Sequence, residues 1–140
     1  MSDVAEPLTI VVGYDGSDGA RRGLQRVGDL GERVRRVVAI AVVPEVRSMG
    51  LGAQLAGDAF DAPRLLEEAS TLLGSAEWLT VELRAAAGDP AVVLVEYARE
   101  AGADLLVVGR RGGDFVARTL LGSVAQRVVQ QAPCDVLVVA

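Results

Sequence analysis

Four unbroken apolar runs constrain the fold of this chain more than any other feature: residues 8–12 (LTIVV), 37–43 (VVAIAVV), 105–108 (LLVV) and 136–139 (VLVV). They are short, rich in β-branched residues and bounded by turn signals, as strands buried on both faces require. Residues 78–84 (WLTVELR) read differently. Leu79, Val81 and Leu83 alternate with Thr80, Glu82 and Arg84, which predicts an edge strand with one wetter face. Helical spacing fills the gaps. Ala20, Leu24 and Val27 recur at i, i+4 and i+7 behind Ser17 or Asp18 as a cap. Asp89-Pro90 sets an N-cap before a proline at the first helical position; Ala91, Val95 and Ala98 continue the stripe, which ends before Gly102. A shorter helix is expected over 63–74. A last one is expected over 123–131, with Val124 and Val128 facing inward and Pro133 beyond its end. Strand and helix thus alternate, which argues for an α/β fold with a parallel sheet and helices on both faces. Residues 44–62 carry three glycines and little periodicity, and are expected to form a long loop, either a mobile flap or a tolerated insertion.

The 140 residues predict a single domain, 1–140, with 1–7 as an N-terminal tail. Net charge is −5, which argues against nucleic acid as a partner. Every positive side chain is arginine; there is no lysine and no histidine. Without lysine there is no Walker A phosphate loop and no Schiff-base chemistry. Without histidine there is no Ser-His-Asp triad within the chain. Cys134 stands alone, so no internal disulfide or Cys-rich zinc site can form, and it reads as a core thiol. Residues 1–7 are acidic and lack the basic start of a secretory signal, and the longest apolar run is too short to span a bilayer. A cytoplasmic protein with no membrane partner is expected.

Open parallel sheets take ligands beyond the carboxyl ends of their strands, where the strand order reverses. Two segments carry suitable chemistry for that place. The first strand runs into Gly13-Tyr14-Asp15-Gly16-Ser17, and the fourth into GRRGGDFVARTLLGSV, residues 109–124. In the second, Gly109 permits a sharp turn, and Gly112 and Gly113 let backbone N–H groups face an anion. Gly122 and Ser123 open a helix whose free N–H groups and positive dipole end attract phosphate. Arg110 and Arg111 supply charge, and Asp114 opposes them. Plainer readings stand beside these. The glycines suit an ordinary strand–helix turn, Asp15 can hold the turn or cap the first helix, and the two arginines can be solvated loop charges. Ser123 serves as an N-cap in either case. Tyr97 and Trp78 suit packing, and Glu67-Glu68 suits a solvated helix face rather than an acid–base pair.

The spacing Gly109-x-x-Gly112, nine residues, then Gly122-Ser123 resembles the G-2x-G-9x-G-[ST] signature of the ATP-binding universal stress proteins. The likeness extends through VVGYDGS, AAAGDPAVVLVEYAREAGADLLVVGRRG and LLGSVAQRVVQQAPCDVLVVA, nearly the whole chain. It implies a five-stranded parallel sheet of order 3-2-1-4-5, of the adenine nucleotide alpha hydrolase-like type. It places Asp15, with Gly13 and Tyr14 just before it, at the adenosine end near the ribose, and the backbone of Val42 on adenine. Gly109, Arg110, Gly112 and Gly113 then border ribose and phosphates, and Gly122, Ser123 and Val124 hold phosphates. ATP, with Mg²⁺ or Mn²⁺ on its phosphate oxygens, is the implied cofactor. A homodimer through the last strand, 135–140, is implied as well. Two departures stand out: the Gly-rich segment after strand two, and Tyr14 where smaller residues are common, which can narrow the pocket or stack nearby.

The function expected is that of a nucleotide-dependent stress or energy regulator acting on a protein partner. No general base stands out beside the phosphates, so at most slow ATP hydrolysis is expected. The alternative is a dimerisation and protein-interaction module that holds no nucleotide, since an apolar last strand invites pairing. An ATP pyrophosphatase would need an S-G-G-x-D-S-like loop after strand one, which is missing. A flavin site would need a Ser/Thr-rich first loop and more aromatic residues.

Overall fold

The computed structural model describes residues 6–43, 61–111 and 121–140. Its elements are β1 (Leu8–Gly13), α1 (Asp18–Asp29), β2 (Val34–Val43), α2 (Ala62–Leu73), β3 (Thr80–Ala87), α3 (Pro90–Ala101), β4 (Leu105–Gly109), α4 (Ser123–Gln131) and β5 (Asp135–Val139). A single 3-10 turn, Gly31–Arg33, precedes β2. All strand pairs are parallel, in the expected order β3-β2-β1-β4-β5.

The unbroken apolar runs follow from this layering. Successive strand residues face opposite sides, and both sides are covered by helices. Ile10, Val12, Val37 and Val107 meet Leu24 and Val27 of α1 and Leu65 and Ala69 of α2 in one core. Val11, Val38, Ile40 and Leu106 meet Ala91 and Leu94 of α3 and Ala125 and Val128 of α4 in the other. β3 is an edge, and its alternation is real: Leu83 packs on the first core, while Glu82 bonds Arg36 and, at 3.0 Å, Arg84.

Helix boundaries follow capping chemistry. Ser17 accepts from the Ala20 N–H at 3.3 Å, Asp61 from Arg64 at 3.2 Å and Asp89 from Val92 at 3.2 Å. Asp89 also takes Arg127 Nη1 of α4 at 2.7 Å, tying the start of α3 to its neighbour. Gly102 adopts φ 62°, the left-handed stop of α3.

Three expectations are corrected. β2 begins at Val34, not at 37: Arg35 and Arg36 interrupt the apolar run and hide a start at Val34, which is buried in the first core. Trp78 and Leu79 lie before β3, which begins at Thr80 rather than at 78, and Trp78 is 49% exposed, so it is no core residue. The segment expected as loop to 62 ends in the α2 cap at Asp61 and its first residue, Ala62; residues 44–60 lie outside the described residues.

Candidate functional site

The carboxyl ends of β1, β2 and β4 bring three predicted segments to one end of the sheet. The first is the turn after β1. The Tyr14 N–H donates to the Ile40 carbonyl at 2.9 Å, extending the β1–β2 ladder by one bond. Asp15 accepts the Ser17 N–H at 2.9 Å, so one carboxylate oxygen holds the turn. Its other oxygen accepts no hydrogen bond among the described residues. Gly16, at φ 80°, completes a bend that a side chain would strain.

Tyr14 does not line this end with its ring. The side chain is 1% exposed, sits in the first core, and donates its hydroxyl to Glu68 of α2. Stacking on a ligand is therefore closed to it. Glu68 in turn takes Arg21 Nε of α1 at 2.9 Å, so Glu68 is no solvated face residue. The Tyr14 hydrogen bond, helped by Arg21, holds its carboxyl below the usual carboxylate range. Burial, and then the bond to Glu68, push the Tyr14 hydroxyl from 10.0 up to about 12. The folded chain thus keeps a proton that the unfolded chain loses. The stabilisation is complete below pH 10 and disappears as pH rises from 10.0 to about 12. Urea titrations across that range are expected to lose up to about 2–3 kcal/mol in the parent chain, and Tyr14→Phe to flatten this decline.

The second segment is the end of β4, where α1 arrives backbone to backbone. A Cβ on Gly19 would stand 2.6 Å from the Val139 carbonyl oxygen and 3.1 Å from Gly109 Cα. A Cβ on Gly109 would stand 3.0 Å from the Ala20 nitrogen and 3.3 Å from Ser17 Oγ. Gly109 is thus needed for close approach to α1, and its φ is not positive, contrary to the sharp-turn expectation. Gly23, one turn on, makes room for Val107. Gly13 does the same for Leu94, whose Cδ1 would lie 2.7 Å from an added Cβ.

The third segment is the start of α4. Gly122, not Ser123, is the N-cap, and it brings no side-chain hydrogen bond to the first turn. α1, α2 and α3 each have such a bond. Ser123 is the first helical residue and is exposed; Val124 is half-buried. Among the described residues, the first-turn N–H groups of α4 therefore lack the side-chain cap that the other helices have. Arg110 positions this terminus through its main chain. Its N–H donates to the Val139 carbonyl and its carbonyl accepts the Gly122 N–H, both at 2.7 Å. Its half-buried side chain carries a buried Nε with no hydrogen-bond partner among the described residues, so it is not a plainly solvated charge. Gly112, Gly113 and Asp114 lie outside the described residues.

Val42 completes the set. Its side chain is in the second core, so only its main chain can meet a ligand. The Ile40 carbonyl points towards β1, and the Val43 carbonyl points the other way, to Gly88. Alternate strand residues point their N–H and C=O to the same side, so Val42 faces the β1 side. There β1 has ended, with its last pair Gly13 to Ile40. Among the described residues, the Val42 N–H and C=O on that side have no strand partner.

Sequence reasoning missed Gly19, Gly23, Arg21 and Glu68. The four-residue spacing of the two glycines was the available signal; nothing local marks a carboxylate that meets Tyr14 54 positions away. Cys134 is half-buried against the second core, and burial raises its thiol, which suits a packing role. Among the described residues no group of three His, Cys, Asp or Glu side chains stands together as a metal site, and no helix is long and apolar enough to cross a membrane.

The parallel sheet of order β3-β2-β1-β4-β5, with helices on both faces, defines a doubly wound α/β domain whose switch point lies between β1 and β4. The chain belongs to the universal stress protein family, which it matches over residues 8–140. A universal stress protein of Mycobacterium tuberculosis is 36% identical over 138 residues, 94% of each chain. A universal stress protein solved in complex with cAMP is 32% identical with TM-score 0.73, covering 97% of this chain and 99% of that one. Universal stress protein UspA from Lactobacillus plantarum superposes with TM-score 0.82 over 98% of this chain and 100% of its own; at 22% identity the likeness concerns the fold.

Proposed function

We propose that this chain is an adenine-nucleotide-binding regulator that takes ATP between the β1–α1 turn and the start of α4. The uncapped first turn of α4 carries the reading. Phosphate oxygens would accept from the N–H groups of Ser123 and Val124 and from the Ser123 hydroxyl, beside the positive end of the helix dipole. Gly109 and Arg110 would border the phosphates, with Gly112 and Gly113. Asp15 would meet the ribose with the carboxylate oxygen that the turn leaves open. Val42 would read the base: its N–H suits N1 of adenine and its C=O the 6-amino group. Mg²⁺ or Mn²⁺ would be held chiefly by the phosphates. Binding, rather than turnover, would signal the energy state to a protein partner in the cytoplasm. A homodimer through β5 would present that signal twice.

The cAMP complex of the 32% identical relative favours a second reading, in which a cyclic nucleotide is the ligand. One experiment separates the two. The purified protein is denatured and any released nucleotide identified by mass spectrometry; the nucleotide-free protein is then titrated with ATP, GTP, AMP and cAMP, with and without Mg²⁺. ATP is expected to bind tightest and to exceed GTP by about 100-fold, because guanine reverses donor and acceptor against Val42. At ligand near 100 Kd, about 2.7 kcal/mol of added stability is expected. cAMP binding tighter than ATP would establish the second reading. No binding at millimolar nucleotide would remove both, and leave the β5 edge as the functional surface.

A further inference from the structure

Asp15 is flanked on both sides by contacts to α2. On one side the Tyr14 side chain is buried and its hydroxyl ends on Glu68. On the other, Gly16 lies so close to Leu65 that an added Cβ would stand 3.0 Å from Leu65 Cδ2. Leu65 and Glu68 are three residues apart on α2, hence on one face. Glu68 is steadied in turn by Arg21, one turn into α1, the helix that the Asp15 turn opens. Asp15 makes no hydrogen bond to any of these groups among the described residues; its carboxylate holds the Ser17 N–H. The conformation of three consecutive residues is thus set from α2 at the first and the third, and the second carries the carboxylate.

The geometry points to Glu68 and Leu65 as positioning residues for Asp15: α2, through Tyr14–Glu68–Arg21 and the Gly16–Leu65 contact, aims the carboxylate at a ribose hydroxyl. This rests on the reading that Asp15 meets the ribose. A wrongly held turn loses the ribose contact but leaves the phosphate end untouched, because the start of α4 is set by Arg110 and not by α2. Glu68 therefore acts on selectivity rather than on binding as a whole.

The test compares ATP with 2′,3′-dideoxy-ATP, which keeps base and phosphates and lacks the ribose hydroxyls, in the full chain and in Glu68→Ala, Glu68→Gln and Leu65→Ala. The parent chain is expected to prefer ATP. Glu68→Ala is expected to cut that preference about fivefold to tenfold by weakening ATP alone. Glu68→Gln, which keeps an acceptor for the Tyr14 hydroxyl, is expected to restore part of it. Amide exchange at Ser17, measured without nucleotide, is expected to quicken in Glu68→Ala, since the Asp15–Ser17 bond loosens with the turn. An unchanged preference, or an equal loss for both nucleotides, overturns the positioning role while ATP binding stands. A parent chain that does not discriminate between the two nucleotides overturns the ribose reading and this inference together. If the parent chain ignores both nucleotides, the nucleotide reading fails at its root.

Discussion

Gly19→Ala is expected to destabilise the chain by about 1–3 kcal/mol, although alanine is the better helix former. Gly19 lies in the first turn of α1, where propensity alone would reward the exchange by about 1 kcal/mol. The added Cβ, however, would stand 2.6 Å from the Val139 carbonyl oxygen and 3.1 Å from Gly109 Cα. Both are backbone atoms in a paired sheet and cannot rotate away, so the helix must lift from β4 and β5. The same helix supplies its control. Gly28 has nothing within 4 Å of an added Cβ, and Gly28→Ala is expected to stabilise by about 0.5–1 kcal/mol. Two identical substitutions in one helix should therefore move the urea midpoint in opposite directions. Equal and stabilising effects would refute the backbone contact. Gly19→Val should be worse than alanine and should also weaken any ligand held near Gly109.

Gly122→Val is expected to abolish nucleotide binding, raising Kd by at least about 100-fold, while the fold survives. Gly122 has φ −65° and ψ 159°, a conformation open to any L-residue. Glycine is therefore not required there by the backbone. A valine side chain at the cap would stand where phosphate must approach the Ser123 and Val124 N–H groups. Two charge-assisted hydrogen bonds of about 1.5–3 kcal/mol each give the expected size. The cost to stability is expected to be about 1 kcal/mol, since valine is a poorer N-cap than glycine. Thermal denaturation without ligand, beside calorimetric titration with Mg-ATP, reads both quantities. A variant that binds as the parent does would place the phosphates elsewhere.

The strands and helices were legible because each rests on local chemistry. Ile10, Val11 and Val12 had to be apolar in succession to serve two cores, and Asp89-Pro90 marked its helix start to the residue. The reasons behind several site residues were not legible, because they lie in contacts between distant segments. Gly109 reads as a turn glycine until α1 is laid against it. Tyr14 reads as a ring that can narrow the pocket or stack nearby until Glu68 arrives from α2. Val42 stands in an apolar run that says nothing of its main chain; only the early end of β1 opens its N–H and C=O. Ser123 has the chemistry of a cap, but the helix starts one residue earlier than that role requires.

The two rims of the sheet are unlike. β3 carries Glu82 and Arg84 in an ionic cluster with Arg36, whereas β5 offers Val136, Leu137 and Val138, half-buried, between an exposed Asp135 and a buried Val139. Charges on an edge strand discourage sheet extension, and an apolar edge invites it. A subunit with adhesive edges on both sides can add copies head to tail without limit and grow into a fibre. With one adhesive edge, the only contact open to two copies is the same edge against itself, about a two-fold axis, which uses up the surface it employs. The charge on β3 thus discourages sheet extension from that rim, and pairing through β5, were it to form, would stop at two copies.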